Sequence, residues 1–255
     1  MRIVSTVPSQ TELLYDLGLR DEVVGITKFC VHPDEWFSKK IRIGGTKNLN
    51  IKKIIELQPD LIIANKEENV KEQIEELQKH FKVYVSDIKN LSDALKMIQD
   101  VGELVNRNKE SEKVIKEIKN HFNNLNPDSY RDRTSNLKQQ SVIYLIWKNP
   151  YMTVGNDTFI HDMITLCGFK NIFGELKRYP EITSEQIASS KPDLIFLSSE
   201  PYQFKEKHIE ELKNISPASR IILVNGEYFS WYGSRLLKAA DYFSKLIDEV
   251  MFISK

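Results

Sequence analysis

Three groups of residues have types and spacings that can do chemistry. In "TKFCVHP", Cys30 and His32 stand two positions apart, a soft thiol and a borderline imidazole that can share a metal ion. A Cys-x-His pair is also what a buried cysteine beside an incidental histidine looks like. Glu67 follows "PDLI" in "PDLIIANKEEN", and Glu200 follows it in "PDLIFLSSEP". Just past the carboxyl end of a strand, such acids converge on a ligand cleft or flank its rim. They also suit the positive end of a following helix as plain surface residues. The third group is aromatic: Trp147 and Tyr151 in "IWKNPYMTVG", Tyr179 in "RYPEIT", Tyr202 in "SSEPYQF", and Tyr228, Phe229, Trp231 and Tyr232 in "NGEYFSWYGSRL". Aromatic rings on strand-end loops suit a large flat or apolar ligand, and Arg235 beside them can hold a carboxylate or phosphate. Trp147 and Phe229 can equally pack beneath the loops.

No Walker phosphate loop, G-x-G-x-x-G, G-x-S-x-G or H-E-x-x-H occurs, so the chemistries those spacings build are not indicated. Residue order alone pairs no nucleophile with a base.

The elements that position these residues alternate strand and helix. "RIVSTV" reads as a buried strand. Ser9, with Glu12 three positions on, reads as a capping box opening the helix "QTELLYDLG", which ends at Gly18. "EVVGI", "DLIIA" and "KVYVS" read as strands, with "IKKIIELQ" and "KEQIEELQKH" as helices between them. The second half repeats this grammar. "SVIYLIW", "DLIFLS" and "RIILVN" are strands. The helix "TFIHDMITLCG" ends at Gly168, and "TSEQIASSKP" opens with a Thr183–Gln186 capping box. Alternation of this kind builds parallel βαβ units. Pro59 and Pro192 are separated by 133 residues, as are Glu67 and Glu200. That repeat predicts two lobes of one design, with residues 1–88 superposing on 140–225. Between them, apolar residues from Leu91 to Leu125 recur at three- and four-residue steps, which predicts a linking helix with little hinge freedom, with "NRNK" at 106–109 as a point of interruption. The polar run 123–140 reads as a loop. The expected domains are therefore 1–88, a linker 89–126, and 127–255.

The 255 residues include 36 basic and 36 acidic side chains, a balance that carries no electrostatic footprint for nucleic acid or an anionic membrane. Two cysteines make neither a disulfide framework nor, by themselves, a four-ligand zinc site. The first residues lack the pattern of an export leader, and no run approaches a membrane span. A cytoplasmic location is the expectation as the chain stands, or a periplasmic or cell-surface one if a leader is removed.

"RIVSTVPSQTELLYDLG", "IGGTKN", "PDLIIANKEEN", the linking helix and "GEYFSWYGSRL" together resemble the class III substrate-binding proteins of ABC importers, also called helical-backbone metal receptors, and within them most closely the cobalamin-binding-like branch. The resemblance spans nearly the whole chain. It implies an α/β fold of two Rossmann-like lobes with parallel sheets joined by a backbone helix, and a ligand held in the cleft. It further implies one acidic residue per lobe that docks on an ABC permease: Glu67 and Glu200, or Glu72 and Glu206 a few residues into the following helices. Metal receptors of this class use several histidines, and here only His32 is suitably placed.

On these grounds ligand contacts are expected at Pro8, Ser9, Gln10, His32, Trp147, Tyr151, Tyr179, Tyr202, Phe229, Trp231, Tyr232 and Arg235, with Cys30 and His32 as a candidate metal pair. The expected protein is a monomeric binder, not an enzyme, that needs no resident cofactor. Its ligand would be cobalamin, haem, an iron–siderophore or another metal chelate. Two alternatives share the architecture: a cytosolic chelatase using His32 with Glu67 or Glu200, and a non-transport ligand sensor.

Overall fold

The computed structural model describes residues 1–125 and 139–252. Most of the 123–140 run and the expected boundary at 126/127 lie outside them. Two compact units emerge. Unit 1 comprises Met1–Ile88, Ser92–Ile118 and Trp231–Leu237, and unit 2 comprises Lys89–Leu91, Lys119–Ser230 and Lys238–Lys255. The segment Trp231–Leu237, which sequence order assigns to the C-terminal lobe, thus packs with unit 1.

Unit 1 contains β1 (Ile3–Ser5), β2 (Val23–Ile26), β3 (Ile41–Arg42), β4 (Gly44–Gly45), β5 (Asn48–Leu49), β6 (Leu61–Asn65) and β7 (Val83–Ser86). Five of these form a parallel sheet in the order β3-β2-β1-β6-β7. β4 and β5 pair antiparallel, and Gly44 reaches φ +100° there, with no room for a Cβ against the Asn48 carbonyl. The helices are α1 (Pro8–Asp16), α2 (Asp34–Lys39), α3 (Ile51–Leu57) and α4 (Lys71–Gln78). Every residue of β6 is buried, as a continuous apolar run in a covered parallel sheet requires.

Unit 2 contains β8 (Ser141–Leu145), β9 (Tyr151–Met152), β10 (Lys170–Asn171), β11 (Glu181–Ile182), β12 (Leu194–Ser198) and β13 (Arg220–Val224). Its parallel sheet runs β10-β8-β12-β13, and β9 and β11 form a small antiparallel pair. Beyond the linking helices α5 (Leu91–Leu104) and α6 (Asn108–Asn124) come α7 (Phe159–Leu166), α8 (Ser184–Ser190), α9 (Glu206–Ile215), α10 (Gly226–Ser230) and α11 (Leu236–Phe252).

The repeated phrase occupies equivalent places. β6 lies between β1 and β7, and β12 between β8 and β13. Ile3 pairs with Leu61, and Val142 with Leu194. The Asp of each "PD" clips the start of the neighbouring strand: Asp60 Oδ2 accepts the Arg2 amide at 2.6 Å, and Asp193 Oδ2 accepts the Ser141 amide at 2.7 Å. The helices before them open and close alike. Asn50 caps α3 and Thr183 caps α8. Gln58 and Lys191, which end them, both take the left-handed conformation at φ 46°. One loop-and-clip design is therefore used twice, which is what the 133-residue offset encodes.

One expectation holds and one changes. The linking helix is two helices, interrupted at residues 105–107, overlapping the expected "NRNK" break, where Asn106 has φ +55°. A Cβ on Gly102 would lie 2.1 Å from Ser111 Oγ, so α5 and the start of α6 approach closely over a glycine. The α1 capping box is absent: Val7 is the N-cap with no side-chain bond, and Pro8 occupies the first turn. Pro needs no amide partner there, so the helix starts before Ser9, and Glu12 is released for another contact.

Candidate ligand-binding surfaces

In unit 1 the loops after β1 and β2 carry the candidates. Pro8 and His32 are partly exposed. Ser9 is 4% exposed and Gln10 fully buried, with Gln10 Nε2 donating to Ser86 Oγ at 2.5 Å. Gln10 ties α1 to β7, and both residues are corrected from ligand contacts to buried packing residues. Cys30 is also fully buried. Its Sγ lies 3.1 Å from both Thr11 Oγ1 and Thr27 Oγ1, and burial pushes the thiol pKa up. Metal ligation needs the opposite, a stabilised thiolate. Among the described residues no group of three or more His, Cys, Asp or Glu side chains is arranged to hold a metal. Cys30 is thus a buried thiol held by two threonines, while His32 is partly exposed.

Trp231, Tyr232 and Arg235 are 7%, 6% and 7% exposed, not projecting loop residues. The reason is the contact that Glu12 makes. Arg235 Nε donates to Glu12 Oε2 at 2.8 Å and Nη2 to Glu12 Oε1 at 2.9 Å, a buried two-pronged ion pair. The guanidinium carbon lies 4.8 Å from the centre of the Trp231 ring. The His32 imidazole meets the same indole edge-on, ring centres 5.6 Å apart at 70°. Gly233, at φ +133°, brings the chain so close that a Cβ would lie 3.0 Å from the Ser9 carbonyl oxygen. The expectation that Arg235 holds a ligand carboxylate gives way to a carboxylate supplied by the protein.

The same unit offers a group that sequence reasoning passed over. Phe29, just beyond β2, is 51% exposed, and Val31 is 37% exposed. The only signal is their position in "TKFCVHP", where attention goes to the sulfur and the imidazole.

In unit 2 the aromatic residues separate by burial. Trp147 follows β8 and is 40% exposed. Its ring meets Tyr202, which follows β12, in a T-shaped contact at 5.6 Å. Tyr202 in turn packs on Phe204 at 4.8 Å and His208 at 5.6 Å. The Lys205 amide donates to His208 Nδ1 at 2.8 Å, which places the ring proton on Nε2, facing the Tyr202 hydroxyl at 3.3 Å. Tyr151 is half-buried, and burial raises its pKa. Tyr179 is half-exposed with the Arg178 guanidinium 5.6 Å from its ring. Phe229 is fully buried against Tyr144, Phe243 and Phe196. It is a core residue, not a ligand contact.

The paired acids differ. Glu200 is partly buried, and its Oε1 accepts from Ser230 Oγ at 2.5 Å. A Cβ on Gly226 would lie 2.7 Å from Glu200 Cγ, so that glycine makes room for it. Glu67 is partly buried; its amide donates to Asn65 Oδ1, and its carbonyl accepts from Lys47. Glu72 and Glu206, in the first turns of α4 and α9, are exposed.

The family model described as "Periplasmic binding protein" matches residues 3–218. The chain is 28% identical over 258 residues to the Bacillus subtilis (strain 168) protein named "Uncharacterized ABC transporter substrate-binding lipoprotein YvrC", covering 96% of this chain and 79% of that one. It is 28% identical over 205 residues to the vitamin B12-binding protein of Vibrio vulnificus (strain CMCP6), covering 79% and 72%. In structure it resembles the periplasmic vitamin B12 binding protein BtuF of Vibrio cholerae, with a TM-score of 0.81 over 98% of both chains at 22% identity, a likeness of fold. These matches set the chelatase alternative aside. The chain belongs to the periplasmic binding protein family, as a non-enzymatic class III substrate-binding protein of ABC transporters.

Proposed function

We propose that this substrate-binding protein captures a corrinoid or a closely similar metal chelate for ABC-type uptake. The observation that carries the reading is Trp147: a large ring 40% exposed at the carboxyl end of a central strand, braced from behind by Tyr202. An indole held in this position offers a face on which a flat ligand can stack. Phe29, His32 and Pro8 form the corresponding partly exposed set beyond β1 and β2 in unit 1. Tyr151, Tyr179 and Tyr202 add half-exposed rings in unit 2. A macrocyclic chelate has broad apolar faces that such rings cover, and a relative at 28% identity carries the name vitamin B12-binding protein. In this role the exposed acids Glu72 and Glu206 meet the permease, while Glu67 and Glu200 brace their loops. The site of action is then outside the membrane that holds the permease, in keeping with relatives named as a lipoprotein and as periplasmic. Among the described residues no helix is long and apolar enough to cross a membrane.

Calorimetric and absorbance titrations with cyanocobalamin, hemin and a ferric siderophore test the reading. Binding of cyanocobalamin is expected, weakened about 5- to 150-fold in Trp147→Ala, the span of roughly 1–3 kcal/mol typical of a lost aromatic anchor. Absence of binding by all three below about millimolar concentration sinks it.

A further inference from the structure

The Glu12–Arg235 pair is an unusual use of charge. Removing a carboxylate and a guanidinium from water costs about as much as their attraction returns, and a well-packed apolar pair of similar volume would hold α1 to the 231–237 segment as firmly. What an apolar pair does not supply is direction. A guanidinium gripped on two prongs has a fixed plane, and this one lies against the Trp231 face at 4.8 Å. The indole also meets the His32 imidazole, in a T-shaped contact at 5.6 Å. A continuous series of contacts therefore runs from the rigid helix α1 through Glu12, Arg235 and Trp231 to His32, the partly exposed member at its end. Gly233 lets the backbone descend onto Ser9 so that the series can close.

We propose that Glu12 and Arg235 are positioning residues that set the orientation of Trp231 and His32 for ligand capture, without touching the ligand themselves. This rests on the functional reading above, in which the loops beyond β1 and β2 meet the chelate. It assigns His32 as the contact that the clamp presents, and it makes Glu12 a determinant of affinity although its side chain is 10% exposed and locked in an ion pair.

Fluorine-19 NMR of protein labelled with 5-fluorotryptophan tests the clamp without any ligand. The chain has three tryptophans and so gives three resonances, with that of Trp231 assigned from Trp231→Phe. Glu12→Gln is expected to shift or broaden the Trp231 resonance while leaving Trp36 and Trp147 in place. The same variant is expected to bind cyanocobalamin at least about tenfold more weakly at a temperature where it remains folded. Arg235→Lys keeps the charge but loses the fork and the flat stacking face, and carries the same two readouts if Glu12→Gln does not fold. An unmoved Trp231 resonance overturns the proposal. So does a moved resonance with unchanged affinity, which would make the pair purely structural. A wild-type protein that binds neither cyanocobalamin nor hemin overturns the ligand step together with the functional reading. The resonance then still decides the clamp by itself, so the two failures are told apart.

Discussion

Replacing Trp231 by alanine is expected to cost stability first. The indole is 7% exposed, with a guanidinium on one side and an imidazole at its edge. Burying an aromatic side chain of roughly 200 Å² at about 25 cal/mol per Å² gives about 5 kcal/mol as an upper bound. Measured Trp→Ala losses in cores run about 3–5 kcal/mol, and the cation–π contact with Arg235 contributes on the order of 1 kcal/mol within that total. At about 2–4 °C per kcal/mol for a chain of this size, the midpoint should fall by roughly 6–20 °C. Differential scanning calorimetry measures it, with Trp147→Ala as the comparison. That residue is 40% exposed and should shift the midpoint far less. A Trp231→Ala protein melting within about 2 °C of wild type would refute the burial argument, and with it the account of why Arg235 is buried.

Acid should loosen unit 2 through His208. Burial, with help from Lys148, holds its pKa below the ordinary value. As pH falls, the unfolded chain therefore takes up the proton first. The contribution is whole above about pH 6.5 and is lost as pH drops through the lower folded value. His208→Asn keeps an acceptor for the Lys205 amide and cannot titrate, so its Tm should fall less between pH 7 and 5 than that of wild type; equal slopes would refute this. Lys191→Gly should raise stability by about 1 kcal/mol, because glycine takes the φ 46° conformation without the side-chain penalty, and denaturant midpoints with no gain would count against it. Cys30 and Cys167 should resist thiol reagents in the folded protein, since burial raises both pKa values. Titration with Co(II) should give no thiolate charge-transfer band, and a band would support Cys30 and His32 as a metal pair.

Much of the fold was legible because its signals are local. The "PDLI" strands, the glycines at 18 and 168 and the Thr183 cap each declare themselves within a few residues. The repeat predicts that the halves share a strand order, and β2-β1-β6-β7 does parallel β10-β8-β12-β13, though the order itself is not written in the sequence. The site was less legible because burial is decided by distant partners. Nothing near Trp231 says that Glu12, over two hundred positions away, will draw the segment down onto α1. The same glutamate looked like part of a capping box, and Pro8 made that box unnecessary. Trp147 and Phe229 both follow a strand closely in sequence, yet one stands 40% exposed and the other is sealed among Tyr144, Phe196 and Phe243. Phe29 was overlooked because its neighbours Cys30 and His32 have the more familiar chemistry.

The placement of Trp231–Leu237 within unit 1 bears on whether the halves of this chain are separable. A fragment ending in the linking helices would lack a piece of its own unit, and Glu12 would be left as a carboxylate with its partner gone. Losing one side of a buried ion pair costs about 3–5 kcal/mol, a large part of the stability of a small domain. Conversely, a fragment beginning near residue 139 would carry Trp231, Tyr232 and Arg235 with nothing to bury them. The two sheets repeat one design, but a cut between the halves in sequence does not fall between the two units, because Trp231–Leu237 belongs with unit 1.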